Sequence, residues 1–154
     1  MPTLPLIMRA IIFIGIQASG KTSFFNVELG KEGFVHISMD VLRNRNKEKQ
    51  LVQECIAERR DFVIDNTNPT RTDRKRYLSL LEGSGYTVEG YFFQSRVQDC
   101  VKRNAARDNP IPAKAIASTS NRLELPSYEE GFDVLKYIAL TENGSSITDW
   151  EEQK

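Results

Sequence analysis

The chain is poor in the residues that several kinds of protein need. It has one histidine, two cysteines and one tryptophan among 154 residues. Cys55 and Cys100 lie far apart, with no C-x-x-C and no histidine partner at metal-binding spacing, so neither a zinc-ligand set nor a disulfide framework is legible. Both thiols read as packing residues in a reducing compartment. Net charge is missing too. Lys and Arg total 21, as do Asp and Glu, so no global field draws the chain to nucleic acid or to an anionic membrane. A polyanion would have to be held by local clusters. No apolar run approaches membrane-spanning length. The opening "MPTLPLIMRA" is interrupted by Pro2 and Pro5 and is too short for the apolar core of a secretion signal. The expectation is a cytoplasmic protein with no membrane contact, and no partner protein is evident.

What is present suits one globular domain. Apolar residues make up 40% and charged residues 27%, and this length buries a real core without staples. Short apolar runs alternate with polar helical stretches. Strands are expected at 9–14, 34–38, 62–65, 87–93 and 134–140. Helices are expected from the loop after the first strand to about Leu29, around Leu51, Val52, Cys55 and Ile56, from Thr70 with an Asp73 capping box, from Ser95 with a Gln98 capping box to about Arg107, and over 113–125. Such alternation implies a parallel sheet covered on both faces. The fold class is therefore an α/β three-layer sandwich with a five-stranded parallel sheet. Residues 1–141 are read as one domain and 142–154 as a mobile tail.

The sharpest local signal is "IFIGIQASGKTS" (12–23), an apolar strand followed by G-x-x-x-x-G-K-[ST], the phosphate-binding loop. Gly15 and Gly20 are expected at positive φ, turning backbone N–H groups inward. The following helix points its positive end at the same spot. Lys21 adds a full charge between the β- and γ-phosphates, and the Thr22 hydroxyl suits Mg²⁺. Gly15, Ala18, Ser19, Gly20, Lys21, Thr22 and Ser23 are the nucleotide-binding candidates, and the cofactors expected are ATP, with GTP left open, and Mg²⁺.

Phosphoryl transfer needs a base for the acceptor, a holder for it and cations for the transition state. Asp40 in "HISMDVLR" lies just past the second strand, on the sheet edge where open α/β folds bind ligands. Its carboxylate suits a general base, and Arg43, one helical turn on, suits an acceptor phosphate. An N-cap is the plainer role for such an Asp. Asp65 ends the third strand and suits a contact to Mg²⁺ through water, or the orienting of Lys21, Thr22 or an arginine. Asn66, Thr67 and Asn68 follow as hydrogen-bonding groups for the acceptor, with an Asx turn as the plainer reading. Arg103 and Arg107, four apart before a Pro-broken connection, suit a lid that brings cations to the moving phosphoryl group. "RNRNK" (43–47) and "RTDRKR" (71–76) are local basic patches. His36, inside a strand, reads as packed or tautomer-fixed.

In order and spacing, "GIQASGKTSF", "ISMDVLR", "VIDNTNPT", "CVKRNAARDNPIP" and "EEGF" resemble the kinase domain of polynucleotide 5′-hydroxyl kinases over roughly residues 10–140. The resemblance implies the strand order 2-3-1-4-5 usual in such kinases and ATP-dependent phosphorylation of a 5′-OH end of DNA or RNA. It further implies Asp40 as general base, Arg43 on the acceptor's 3′-phosphate, Lys21 and Thr22 on triphosphate and Mg²⁺, Arg107 with Arg103 as the lid pair, and Asp65 as a supporting acid. The D-x-D of the phosphatase half of full end-healing enzymes does not occur. Kinases of nucleosides, antibiotics or sugar nucleotides share the same phosphate chemistry and stay open as the alternative, as does a nucleotide-dependent regulatory module.

Overall fold

The computed structural model describes residues 7–151. Pro2 and Pro5 of the opening segment and the last three residues of the expected tail lie outside it. Strands β1 (Arg9–Ile14), β2 (Val35–Ile37), β3 (Phe62–Ile64), β4 (Thr87–Phe93), β5 (Val134–Thr141) and β6 (Gly144–Asp149) form one sheet in the order β2-β3-β1-β4-β5-β6. The first five run parallel and β6 pairs antiparallel with β5. The helices are α1 (Lys21–Phe24), continued by a π-helical turn over Phe25–Leu29, then α2 (Met39–Leu42), α3 (Arg45–Ala57), α4 (Arg71–Leu81), α5 (Val97–Ala105) and α6 (Ala113–Arg122).

Strand β1 shows why the sheet sits in the middle layer. Ala10, Ile12 and Ile14 point to one face and pack with Val52, Cys55, Tyr77 and Leu81 of α3 and α4. Ile11 and Phe13 point to the other and pack with Phe24, Phe25 and Leu29. An alternating side-chain direction with apolar residues at every position from Ala10 to Ile14 demands cover on both sides. Ile16, Ala18, Cys100 and Ile116 make a third cluster that seats α5 and α6 against the loop after β1.

The strand order agrees with the expectation, and the count does not. Residues 144–149, read as part of a mobile tail, form the sixth strand. Glu142 and Asn143 connect it to β5, with Thr141 opposite Gly144. Gly144 takes φ 136°, which a side chain would strain. Because β6 is an edge strand and mostly exposed, it carries almost none of the apolar alternation by which a strand is recognised.

Two helix boundaries also differ. Helix α5 begins after Arg96 with no side-chain cap and ends at Ala105, so no Ser95–Gln98 capping box forms and Arg103 and Arg107 do not share a helical face. Thr70 does cap α4, accepting from the Asp73 N–H at 3.1 Å.

The "RTDRKR" patch is not wholly a solvated face. Arg74 is fully buried, and its Nε and NH2 donate to Glu130 Oε1 and Oε2 at 2.8 and 3.1 Å. NH1 donates to the carbonyls of Asn68, Pro69 and Glu124. One guanidinium thus ties the loop after β3 to the "EEGF" segment. Removing one partner of such a pair leaves an uncompensated buried charge, costing about 3–5 kcal/mol. Glu130→Ala is therefore expected to lower unfolding stability by about that much in denaturant titration. A loss below about 1 kcal/mol would show that Arg74 is held by the carbonyls alone.

Candidate active site

Parallel strands present their C-terminal ends on one edge, and the loops leaving β1, β2 and β3 meet there. Between them and Arg107 lies a cleft of about 270 Å³, lined by the loop residues Gln17–Ser23 apart from Ser19, and by Asp40, Arg45, Asp65, Asn66 and Thr67.

The phosphate-binding loop is held from several sides. The Gly15 N–H donates to Thr67 O at 3.0 Å, the Ile16 N–H to Ser95 Oγ at 3.1 Å, and Arg103 Nε to Ala18 O at 2.7 Å. Gln17 Nε2 reaches Thr119 Oγ1 on α6 at 2.9 Å. Gly20 has φ 96°, as expected for a left-handed turn, and Ala18 joins it at φ 63°. Gly15 is not at positive φ and serves a different need. A Cβ there would meet Ser19 Oγ at 2.9 Å and Phe93 Cβ at 3.0 Å, so glycine is required for close packing against β4.

Lys21 is buried, with Nζ donating to Gly15 O, Ile16 O and Ser19 Oγ at 3.0, 2.8 and 3.3 Å. Burial pulls its pKa down to about 8, opposed by Asp65 and Asp40 and reinforced by Arg107. Those three charges act on one amine because they border one cleft. Ser19 is buried beneath the loop, whereas Thr22 and Ser23 are exposed toward the cleft.

Asp65 follows β3 and is almost fully buried. Its Oδ2 accepts from Thr22 Oγ1 and pairs with His36 Nε2, both at 2.7 Å. His36 packs against Phe25 with ring centroids 4.4 Å apart and planes tilted by 35°, so its ring is fixed as expected. The neighbouring Thr22 hydroxyl and Asp65 carboxylate fit Mg²⁺, which takes one or two protein oxygens and fills its shell with water and substrate phosphates. No cluster of three or more His, Cys, Asp or Glu able to hold a metal occurs among the described residues, and Mg²⁺ bound with nucleotide does not need one.

Asp40 is not the N-cap of α2. Ser38 is, its Oγ accepting from the Asp40 N–H at 3.2 Å, while Asn66 Oδ1 takes the Met39 N–H at 2.9 Å. With both donors satisfied, the Asp40 carboxylate is exposed at the cleft wall. Asn66 lines the cleft as a brace rather than a free acceptor contact: its Nδ2 donates to Glu48 Oε2 and Tyr77 Oη at 2.8 and 3.0 Å. Asn68 is turned away altogether. It is buried at φ 45°, with Nδ2 on Phe13 O at 2.8 Å. Thr67 alone of the three presents a partly exposed side chain without such a bond.

Among the cations, Arg107 lines the cleft and Arg103 supports the loop through Ala18. Arg43 caps α2 at φ 55°, exposed and outside the cleft lining. Arg45 lines it instead, with NH1 on Glu48 Oε1 and Tyr77 Oη at 2.8 and 3.1 Å. The "RNRNK" patch contains Arg45, but only the fold brings Glu48 and Tyr77 to it.

A lysine whose folded pKa lies below its unfolded value opposes folding while it is charged. That penalty is full below about pH 8, where both states are protonated, and disappears as pH rises through the unfolded value near 10.5. Lys21→Met is therefore expected to stabilise the fold at pH 7, by up to about 3 kcal/mol less the lost hydrogen bonds, with the gain shrinking by pH 10. Paired thermal melts at the two pH values test this; a variant destabilised equally at both would refute it.

The family model described as an AAA domain matches residues 11–126. The bifunctional polynucleotide phosphatase/kinase of Schizosaccharomyces pombe is 25% identical over 127 residues, covering 79% of this chain and 31% of that protein. A putative bifunctional polynucleotide phosphatase/kinase of Acanthamoeba polyphaga mimivirus is 26% identical over 147 residues, covering 90% and 35%. The chain thus spans about a third of the length of these relatives. Among solved structures, the pneumococcal PezAT toxin–antitoxin system superposes with a TM-score of 0.68 at 15% identity, covering 95% of this chain and 72% of that one. A gluconokinase from Sinorhizobium meliloti gives 0.62 at 17% identity, covering 85% and 82%. At such identity the structures speak for the fold and not for the acceptor. With fold, loop and family match in agreement, the chain belongs to the AAA-domain family and is a P-loop domain of the kinase type.

Proposed function

We propose that the chain transfers the γ-phosphate of ATP to the 5′-hydroxyl end of a polynucleotide, DNA or RNA. The observation that carries this reading is the character of the wall beside Asp40. The cleft lining there is Met39, Arg45, Asn66 and Thr67, with no aromatic residue anywhere in the lining, and Asp40 itself is exposed. A kinase of a nucleoside, sugar or antibiotic has to enclose its acceptor, and such pockets are predominantly apolar and aromatic. An open polar wall suits the end of a chain whose remainder stays in solvent. The fission-yeast and mimivirus relatives, a known and a putative polynucleotide phosphatase/kinase, support the same acceptor.

In this mechanism Asp40 Oδ accepts the proton of the 5′-hydroxyl as its oxygen bonds to the γ-phosphorus. The bond from that phosphorus to the β–γ bridging oxygen breaks, and ADP leaves. Lys21 and backbone N–H groups of the loop carry the phosphate charge, and Arg107 adds a cation from the far side. Mg²⁺, when bound, neutralises charge on the β- and γ-phosphates. Thr22 through its hydroxyl and Asp65 through water are the residues to hold it. Both cysteines remain buried, unpaired thiols, in keeping with a cytoplasmic setting.

The test is transfer of labelled γ-phosphate to 5′-OH oligonucleotides. Asp40→Asn is expected to lower the rate by about 10²–10⁴-fold with ATP affinity intact, since Ser38 and Asn66, not Asp40, hold the helix end. Loss of ATP binding in that variant would make Asp40 structural. Transfer to nucleosides or sugars but to no oligonucleotide would move the acceptor to a small molecule.

A further inference from the structure

The cation at the far side of the cleft stands on a segment that packing does not hold. Helix α5 ends at Ala105 and α6 begins at Ala113. Between them Ala106, Arg107, Asp108, Asn109 and Pro110 are all exposed. The N–H groups of Asp108 and Asn109 donate to no protein group among the described residues. Such a stretch opens at little cost unless something ties it. An arginine carried on it untied would spend part of its time away from the cleft.

Asn104, in the last turn of α5 and 3% exposed, is that tie. Its side-chain amide meets the backbone of Ile111 twice, Nδ2 donating to the Ile111 carbonyl at 2.7 Å and Oδ1 accepting from the Ile111 N–H at 3.1 Å. The Asn104 carbonyl also accepts from the Arg107 N–H at 3.1 Å. The amide thus acts as a neighbouring strand would, pairing one donor and one acceptor with a single residue, which fixes direction as well as distance. An aspartate lacks the donor, and a serine cannot make the pair in this geometry. Ile111 packs against the cluster of Ile16, Ala18, Cys100 and Ile116, so the far end of the connector is anchored too.

The helices on either side are themselves seated on the phosphate loop, α5 through Arg103 and Ala18, α6 through Thr119 and Gln17. The Thr119 hydroxyl gives its one proton to Ala115 O at 3.0 Å. Toward Gln17 it can only accept, which leaves the Gln17 amide a single orientation. Loop, helices and connector are braced as one unit. Granted the role given to Arg107 above, on which this rests, we propose that Asn104 is a positioning residue. Its clasp on Ile111 holds the connector in one geometry at the cleft, so that the Arg107 cation is preorganised for the transferred phosphoryl group.

Two measurements on the full chain test this. In amide hydrogen exchange, the Ile111 N–H is expected to be protected well beyond those of Asp108 and Asn109; exchange as fast as theirs would show that no clasp forms. The second is a double-mutant cycle of Asn104→Ala and Arg107→Ala, read as kcat and KM for phosphate transfer to a 5′-OH oligonucleotide. Asn104→Ala is expected to lower kcat about tenfold, as for a connector in place about a tenth of the time, with KM for ATP unchanged. In the Arg107→Ala background it is expected to lower kcat no further. A merely structural asparagine would lower kcat equally in both backgrounds, or raise KM for ATP as well. If the alanine variant does not fold, Asn104→Asp, which keeps the shape and loses the donor, takes its place in the same cycle. Wild-type kcat in the Asn104 variant beside a large loss in Arg107→Ala would overturn the proposal while Arg107 kept its role. Wild-type kcat in Arg107→Ala, or no oligonucleotide transfer by the wild type, would remove the reading beneath it and the proposal together.

Discussion

One oxygen atom joins the parts of this site. Oδ2 of Asp65 accepts from Thr22 at the head of α1 and pairs with His36 on β2, and the Asp65 N–H donates to Ile37 O at 2.8 Å. Three segments distant in sequence are thereby levelled at one sheet edge: the helix after the phosphate loop, the end of β2, and the end of β3. The constraint works because parallel strands bring their C-terminal ends to one side. It also needs a dry location, since a carboxylate sharing one oxygen between two partners holds position best where water does not compete. The Thr22 hydroxyl and the end of β2, from which the Asp40 segment leaves, are both placed by this joint. Thr22 could not shift without breaking a bond to this carboxylate, nor the end of β2 without disturbing His36.

Outside that joint, the site is positioned by groups that do no chemistry. Arg74 and Glu130 hold the loop that carries Asn66 and Thr67. Glu48 and Tyr77, both buried, receive Asn66 and Arg45. Asn66 then occupies the Met39 N–H, and Ser38 the next donor of α2. An N-terminal helix turn with its donors satisfied by others is what allows Asp40 to keep its carboxylate for a ligand. Had the helix depended on Asp40 for capping, the base and the cap would have competed for the same oxygens.

The central fold was legible because its signals are local. The apolar run of β1 from Ala10 to Ile14, the glycines and lysine of the phosphate loop, and Thr70 before Asp73 each act within a few residues. The carboxylates Asp40 and Asp65 were legible for the same reason, standing directly after strands. What was not legible depends on distant partners. Ser95 accepts from Ile16, seventy-nine positions away, instead of capping its own helix. Arg74 stands in a run of charges that reads as surface until Glu124 and Glu130 fold over it. Asn68 looks like Asn66 in sequence, and only the direction of the chain after β3 turns one inward to Phe13 and the other to the cleft. Strand β6 escaped because an exposed edge strand needs no apolar alternation.

The buried lysine shows where stability and function part. Lys21 sits under a loop whose carbonyls accept its hydrogen bonds, yet burial still lowers its pKa to about 8. A site built only for stability would place an apolar side chain there, as replacements of buried charges in other proteins commonly stabilise. The carbonyl bonds to Nζ are weaker partners than a triphosphate, whose charges would restore what desolvation removes. Arg107 lies exposed at the same cleft, without a carboxylate partner among the described residues. A buried lysine and an arginine without a carboxylate partner at one cleft make a cavity whose electrostatics a polyanion would complete. That is the physical sense in which this fold, and not merely its motif, calls for a nucleotide.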